Sequence, residues 1–130
     1  MANIAYADLT SLLLQRLPEL REEYLLERES WKPDDVPPHL MCGSVLPRLL
    51  DRLEAACRRS VGNEDEKILN RAFILVEEMA TSRDFETRCT IEASLLETLL
   101  GESDGWQRFS RFFHPETMRM AERVNRRFEG

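Results

Sequence analysis

The sequence predicts an all-α fold: one domain of six to seven helices, arranged as a helical bundle or as a short HEAT-like helical stack. Apolar residues recur at the three- and four-residue spacing of an amphipathic helix in segment after segment. No segment alternates apolar and polar residues with the period of a strand. At 130 residues, 42% hydrophobic and 32% charged, the chain has room for one core and carries a heavily charged exterior.

The elements follow in order. A helical hairpin is expected over residues 4–31. Its first helix follows Asp8 with Leu9, Leu12, Leu13 and Leu17 on one face, and Pro18 opens the second, where its missing N–H costs nothing. That second helix turns Leu20, Tyr24 and Trp31 inward and leaves Glu22, Glu23 and Glu29 mostly outside. Pro33, Pro37 and Pro38, with Asp34 and Asp35 between them, make residues 32–38 a solvated loop. The central helices occupy 44–101. The first starts at Ser44, an N-cap residue, with Pro47 in its opening turn. It carries Val45, Leu46, Leu49, Leu50, Leu53, Ala56 and Cys57 on one face and ends at Gly62.

Asn63 and Glu66 form a capping-box pattern for the next helix, whose face is Ile68, Leu69, Ala72, Phe73, Leu75, Val76, Met79 and Ala80. Asp84 caps a helix presenting Phe85, Cys89, Ile91, Leu95, Leu96, Leu99 and Leu100 and stopping at Gly101. The segment Ala72–Leu75 can be laid on Ala93–Leu96, a weak repeat of the kind helical solenoids show. The C-terminal helices fill 105–129: a short one with Trp106, Phe109, Phe112 and Phe113, then one from Pro115 with Met118, Ala121, Val124 and Phe128 inward.

Charge and composition narrow the function. The net charge is −6, which argues against nucleic-acid binding, since that affinity rests on neutralising phosphates. Residues 1–38 hold eight acids against four bases, and residues 101–130 hold six Arg against five acids, so the N-terminal part is the acidic one. The longest apolar runs, Leu12–Leu14 and Phe73–Val76, are far shorter than the ~20 residues of a membrane span. No signal-peptide pattern opens the sequence. The expectation is a cytoplasmic protein with Cys42, Cys57 and Cys89 reduced and mostly buried.

No motif of covalent, phosphate or metal chemistry is present. His39 and Cys42 are three apart, but no second ligand pair completes a zinc site. No cofactor and no metal are therefore expected. The aromatics from Trp106 to Phe113, interleaved with Arg108 and Arg111, fit a helix packed on the core better than a base-stacking surface. Glu92 breaks the pattern most clearly, because it stands in the middle of an apolar face where a lone carboxylate is costly. It reads as half of a buried polar site satisfied by Arg88, Arg71 or a backbone donor. Removing one partner of such a pair costs on the order of 3–5 kcal/mol. The competing reading is a tuned catalytic carboxylate.

Leu17-Pro18-Glu19-Leu20, Gly43-Ser44-Val45-Leu46, Val76-Glu77-Glu78-Met79-Ala80, Asp84 and the Leu95 to Leu100 run together resemble a family of small uncharacterised bacterial helical domains. That resemblance implies an all-α bacterial protein with no established enzyme activity, of a kind often suspected of being a toxin-immunity protein. The leading expectation is accordingly a protein-binding domain that blocks a basic toxin domain, with Glu22, Glu23, Glu29, Asp34 and Asp35 as contact residues. The alternative is a helical scaffold or adaptor acting as a homodimer, and an enzyme using Glu92 ranks last.

Overall fold

The computed structural model describes residues 3–59 and 64–129. Seven helices account for the architecture, and no strand occurs among the described residues. Helix α1 is Leu9–Arg16, entered through a tight turn at Tyr6–Asp8, and α2 is Arg21–Arg28, entered through Pro18–Leu20. Helix α3 spans 38–59, α4 is Glu64–Ala80, and α5 spans 85–101. Helix α6 is Gly105–Phe109 with a tighter turn at Ser110–Phe112, and α7 is Pro115–Glu129. Helices α3, α4 and α5 each touch the other two, and α7 lies across α4 and α5. The α1–α2 hairpin rests on α3. This mutual packing is a bundle; in a stack of hairpins, contact would run only between neighbours.

The core is continuous. Leu9, Leu13, Leu17 and Leu20 meet Leu46, Leu49, Leu50, Phe73, Val76, Leu95 and Leu96, all fully buried. Phe73 of α4 is the hub of the aromatic segment: its ring stacks on Phe112 at 5.5 Å between centroids, and Phe113 and Phe109 lie at 5.7 and 6.4 Å. Phe109 and Phe112 are buried, so these rings are core and offer no stacking surface. The α5–α6 corner depends on Gly105, because a Cβ there would lie 2.0 Å from the Leu99 carbonyl oxygen.

Several boundaries differ from expectation. Helix α3 begins at Pro38, six residues before Ser44, because Pro38 suits the first position of a helix as well as it ends a loop. Pro47 therefore falls inside the helix, where its ring would strike the Gly43 carbonyl and its nitrogen has no hydrogen to donate. The helix widens to a π turn over Met41–Val45, with Leu46 N–H bonding Met41 O. The Gly43 carbonyl faces Thr98 Oγ1 of α5 instead, at 3.3 Å. The expected stop at Gly62 and the Asn63 cap lie outside the described residues.

A second π turn, Ile91–Leu96, sits in α5 and touches the first. It inserts one residue into the turn and so rotates everything before it by roughly 100° relative to a regular helix. The expected face of α5 is corrected accordingly. Phe85 and Cys89, in line with Leu96 and Leu99 on a regular wheel, point outward, and Phe85 is 68% exposed. Thr87, Thr90 and Ile91 take the buried positions. Thr87 donates to the Ile4 carbonyl at 2.8 Å, fastening the N-terminal segment. The Ala72 and Ala93 segments are likewise not equivalent: Ala72 and Phe73 are buried, whereas Ala93 is exposed. On α7, Thr117 and Met120 join Ala121 and Val124 in the core, and Phe128 is exposed.

The two phases of α5 make different predictions for Phe85. With the π turn, Phe85→Ser changes stability by less than about 0.5 kcal/mol, while Ile91→Ala costs about 2–5 kcal/mol. A regular helix turns both residues inward and makes both substitutions costly. Urea denaturation of the two variants decides between them.

Candidate functional site

Helix α2 gathers the acidic candidates but divides them by use. Glu23 is buried and receives Arg52 of α3 through both oxygens, at 3.0 and 3.1 Å, so it fastens α2 to α3. Its expected place outside the helix is corrected for that reason. Glu27 works the same way, accepting from Arg48, from Ser44 at 3.3 Å and from the Trp31 indole at 3.0 Å. These bonds hold its carboxyl below the usual range against the opposing effect of burial. Asp35 accepts the Tyr24 hydroxyl at 2.6 Å and Val36 N–H at 2.8 Å. Glu29 forms an exposed pair with Lys32. Glu22 and Asp34 are exposed.

Two features of this face were not read from the sequence. Leu25 and Leu26, 41% and 67% exposed, stand side by side between Glu22 and Glu29. With Arg28 and Lys32 they line a shallow depression. The helix beneath them is fixed on α3 by Glu23–Arg52 and Glu27–Arg48. The result is an apolar pair on a held helix, framed by charge.

Glu92 lies in a second groove, between α5 and α7. Its carboxylate is bound by Arg123 at 2.8 Å and Arg127 at 3.1 Å, and its side chain is 24% exposed. The expected partners are corrected: Arg88 donates to the Ser82 carbonyl at 2.7 Å and stacks over Phe85, and Arg71 pairs with Glu19. The π turn moves Glu92 from mid-face to the edge of α5, within reach of α7. Phe85, Cys89, Met120 and Arg88 complete the groove, and Arg126 stands at its rim.

The most enclosed charged side chain among the described residues is Glu54, which no local pattern in the sequence sets apart. Its side chain is 3% exposed and accepts Arg108 Nε at 2.7 Å and Arg58 Nε at 3.0 Å. Arg108 also reaches Asp51 at 2.5 Å. Glu54 follows Leu50 by four and lies at the edge of the apolar stripe of α3, whereas Glu92 falls mid-face on a regular wheel. Glu77 stands in the same relation to Phe73. It caps α7 from another helix, accepting Glu116 N–H, Thr117 N–H and the Thr117 hydroxyl at 3.0, 2.9 and 2.8 Å. Burial opposes its charge, but these three donors and the nearby His114 hold its carboxyl below 4.5.

The thiols differ from expectation. Cys42 is buried, its pKa pushed up to about 12 by burial, Cys57 is half-buried and Cys89 is exposed. His39 meets the Tyr6 hydroxyl at 3.2 Å. Among the described residues no three His, Cys, Asp or Glu side chains could hold a metal ion. No helix among them is long and apolar enough to cross a membrane.

The model of a family described as a domain of unknown function, DUF7674, matches residues 10–129. The chain belongs to that family. No curated protein and no solved structure matches it. The matched span of DUF7674 begins within α1 and runs through α7, so it takes in the α2 face, both π turns and the α5–α7 groove.

Two measurements test these assignments. Glu54→Ala leaves Arg108 with only the exposed Asp51 and costs on the order of 3 kcal/mol, the lower end for a broken buried pair. Glu92→Ala, whose arginines are half-exposed, costs about 1 kcal/mol, and the loss shrinks in high salt. Equal losses in urea melts overturn this ranking. Because Glu77 has a lowered pKa in the folded chain, its contribution is complete above the unfolded value near 4.5 and is lost as pH falls through the folded one. Melting temperature should therefore drop on acidification below about pH 4.5, and less steeply in Glu77→Gln. An unchanged slope removes the capping role.

Proposed function

We propose that the chain is a non-enzymatic, cytoplasmic protein-binding domain, an immunity protein of bacterial type that occludes a basic toxin domain with its α2 face. The observation that carries this reading is the exposed Leu25–Leu26 pair on a helix already fixed from below. An ordered helix loses little freedom on binding, and two adjacent aliphatic side chains supply an anchor that excludes water. Glu22 and Glu29, which line the depression with Arg28 and Lys32, and the exposed Asp34 in the following loop favour encounter with a cationic surface. Glu23 contributes indirectly, by holding the helix.

Co-expression tests the proposal. A toxin-like reading frame beside the gene supplies the partner, and the wild-type chain should restore growth. Leu26→Asp should weaken binding by about 30-fold, the loss of an anchor worth about 2 kcal/mol, without changing thermal stability. Glu22→Gln should slow association chiefly at low salt. Full protection by Leu26→Asp, or the absence of any toxin-like neighbour, sinks the immunity reading.

A further inference from the structure

Residues 3–6 rest on the α4–α5 corner, which holds them by their main chain. Ile4 N–H donates to Ser82 Oγ at 3.0 Å, and the Ile4 carbonyl accepts the Ser82 hydroxyl at 2.7 Å and the Thr87 hydroxyl at 2.8 Å. Two residues on, Tyr6 N–H donates to an Asp84 carboxylate oxygen at 2.7 Å. Ala5, between them, is extended, with φ −81° and ψ 145°. Ile4 is the one buried side chain of this strap; Tyr6 is half-buried, and Asn3, Ala7 and Asp8 are exposed. The corner itself is organised without the strap. Asp84 N–H donates to Ser82 Oγ at 3.1 Å, Glu86 N–H to the second Asp84 oxygen at 3.0 Å, and Arg88 to the Ser82 carbonyl at 2.7 Å. Thr81, Thr90 and Thr98 each return the hydroxyl to the carbonyl four residues back. The buried Thr87 instead turns its hydroxyl across to Ile4.

We infer that the Ser82–Thr87 corner is a binding site for an extended peptide segment carrying an aliphatic residue, occupied in cis by residues 3–6, and that the strap gives way to such a segment of a partner protein. The four bonds from the corner to Ile4 and Tyr6 engage only main-chain N–H and carbonyl groups, which any extended segment presents at the same spacing. In such sites the main chain supplies affinity, and a pocket for one side chain, here that of Ile4, supplies selectivity. A strap with a single buried anchor is a unit of low stability and opens without the bundle. While closed it lowers the apparent affinity for a peptide in proportion to the open fraction, so it acts as an inhibitor built into the site. The α2 face takes no part in it.

The test uses the full chain and a labelled, N-acetylated synthetic peptide of residues 3–8. Ile4→Ser removes the anchor. Tyr6→Pro removes the N–H that Asp84 accepts, at a position where proline fits, after an extended residue and first in its turn; it carries the comparison should Ile4→Ser fail to fold. In the wild type, hydrogen exchange at the Ile4 and Tyr6 amides should run ahead of exchange at Leu13 and Phe73. In each variant the amide of residue 4 should lose its protection while the cooperative melt of the bundle persists. Fluorescence anisotropy should show the peptide binding the released chains about tenfold or more tightly than wild type, because apparent affinity follows the open fraction. Thr87→Val, added to either variant, should weaken that binding by about fivefold, the effect of one hydrogen bond. A peptide N-methylated at its isoleucine lacks the N–H that Ser82 accepts and should not bind. Strap amides that exchange only with global unfolding overturn the inference. So does a peptide that ignores the released chains, or one that binds them regardless of N-methylation and Thr87→Val.

Discussion

Where α3 crosses α5, both helices are in a π turn, and Gly43 lies against Ser94. The first turn has a local cause. Pro47 can neither donate to the Gly43 carbonyl nor sit beneath it, and widening the helix relieves both problems. The Thr98 hydroxyl, which lies 2.7 Å from the Ser94 carbonyl and 3.3 Å from that of Gly43, then spans the crossing. The turn in α5 has consequences further along: by re-phasing the helix it buries Thr87 under the N-terminal segment and sends Phe85 and Cys89 outward. It also brings Glu92 to the edge facing α7. The groove, its arginines and the exposed phenyl ring all follow from that one inserted residue.

A second constraint is the allocation of carboxylates. The chain is acidic, yet its most informative acids face inward or sideways. Glu23, Glu27, Glu54, Glu77 and Glu78 each bind a group on a different helix. Short helices such as α1 and α2 are marginal on their own, and lateral bonds of this kind fix their positions without enlarging the core. Every buried side-chain polar atom among the described residues has a partner, which is what a low-dielectric interior requires. The negative charge of the N-terminal part is thus partly spent inside the molecule, and the acidic surface it leaves exposed is narrower than a count of acids implies.

The all-α class, the single core and the burial of α4 were legible because each rests on uninterrupted periodicity. Ile68 through Ala80 keep one face across a helix without proline, glycine or inserted residue, and Asp84 capped its helix as its position indicated. What was not legible depended on registers between helices. Nothing in the residues 91–96 announces a π turn, so the wheel for α5 was right after it and wrong before it. The partners of Glu92 lie 31 and 35 residues away, beyond any local pattern. Glu54 and Glu77 were visible as carboxylates at the edge of apolar stripes, but the same position suits a solvated acid, and only the helix packed alongside distinguishes the two.

The exposed leucines of α2 then bear on function through what the fold does not need. Single exposed apolar residues are ordinary on soluble surfaces and call for no explanation. Leu25 and Leu26 differ in being adjacent, in lining one depression, and in sitting on a helix whose other side is already saturated by Tyr24, Glu23 and Glu27. Folding gains little from Leu26 at 67% exposure, and polar residues at both positions would leave every bond from α2 to α3 in place. A helix held in this way, with its apolar pair turned to water, is the observation on which the proposed docking face rests.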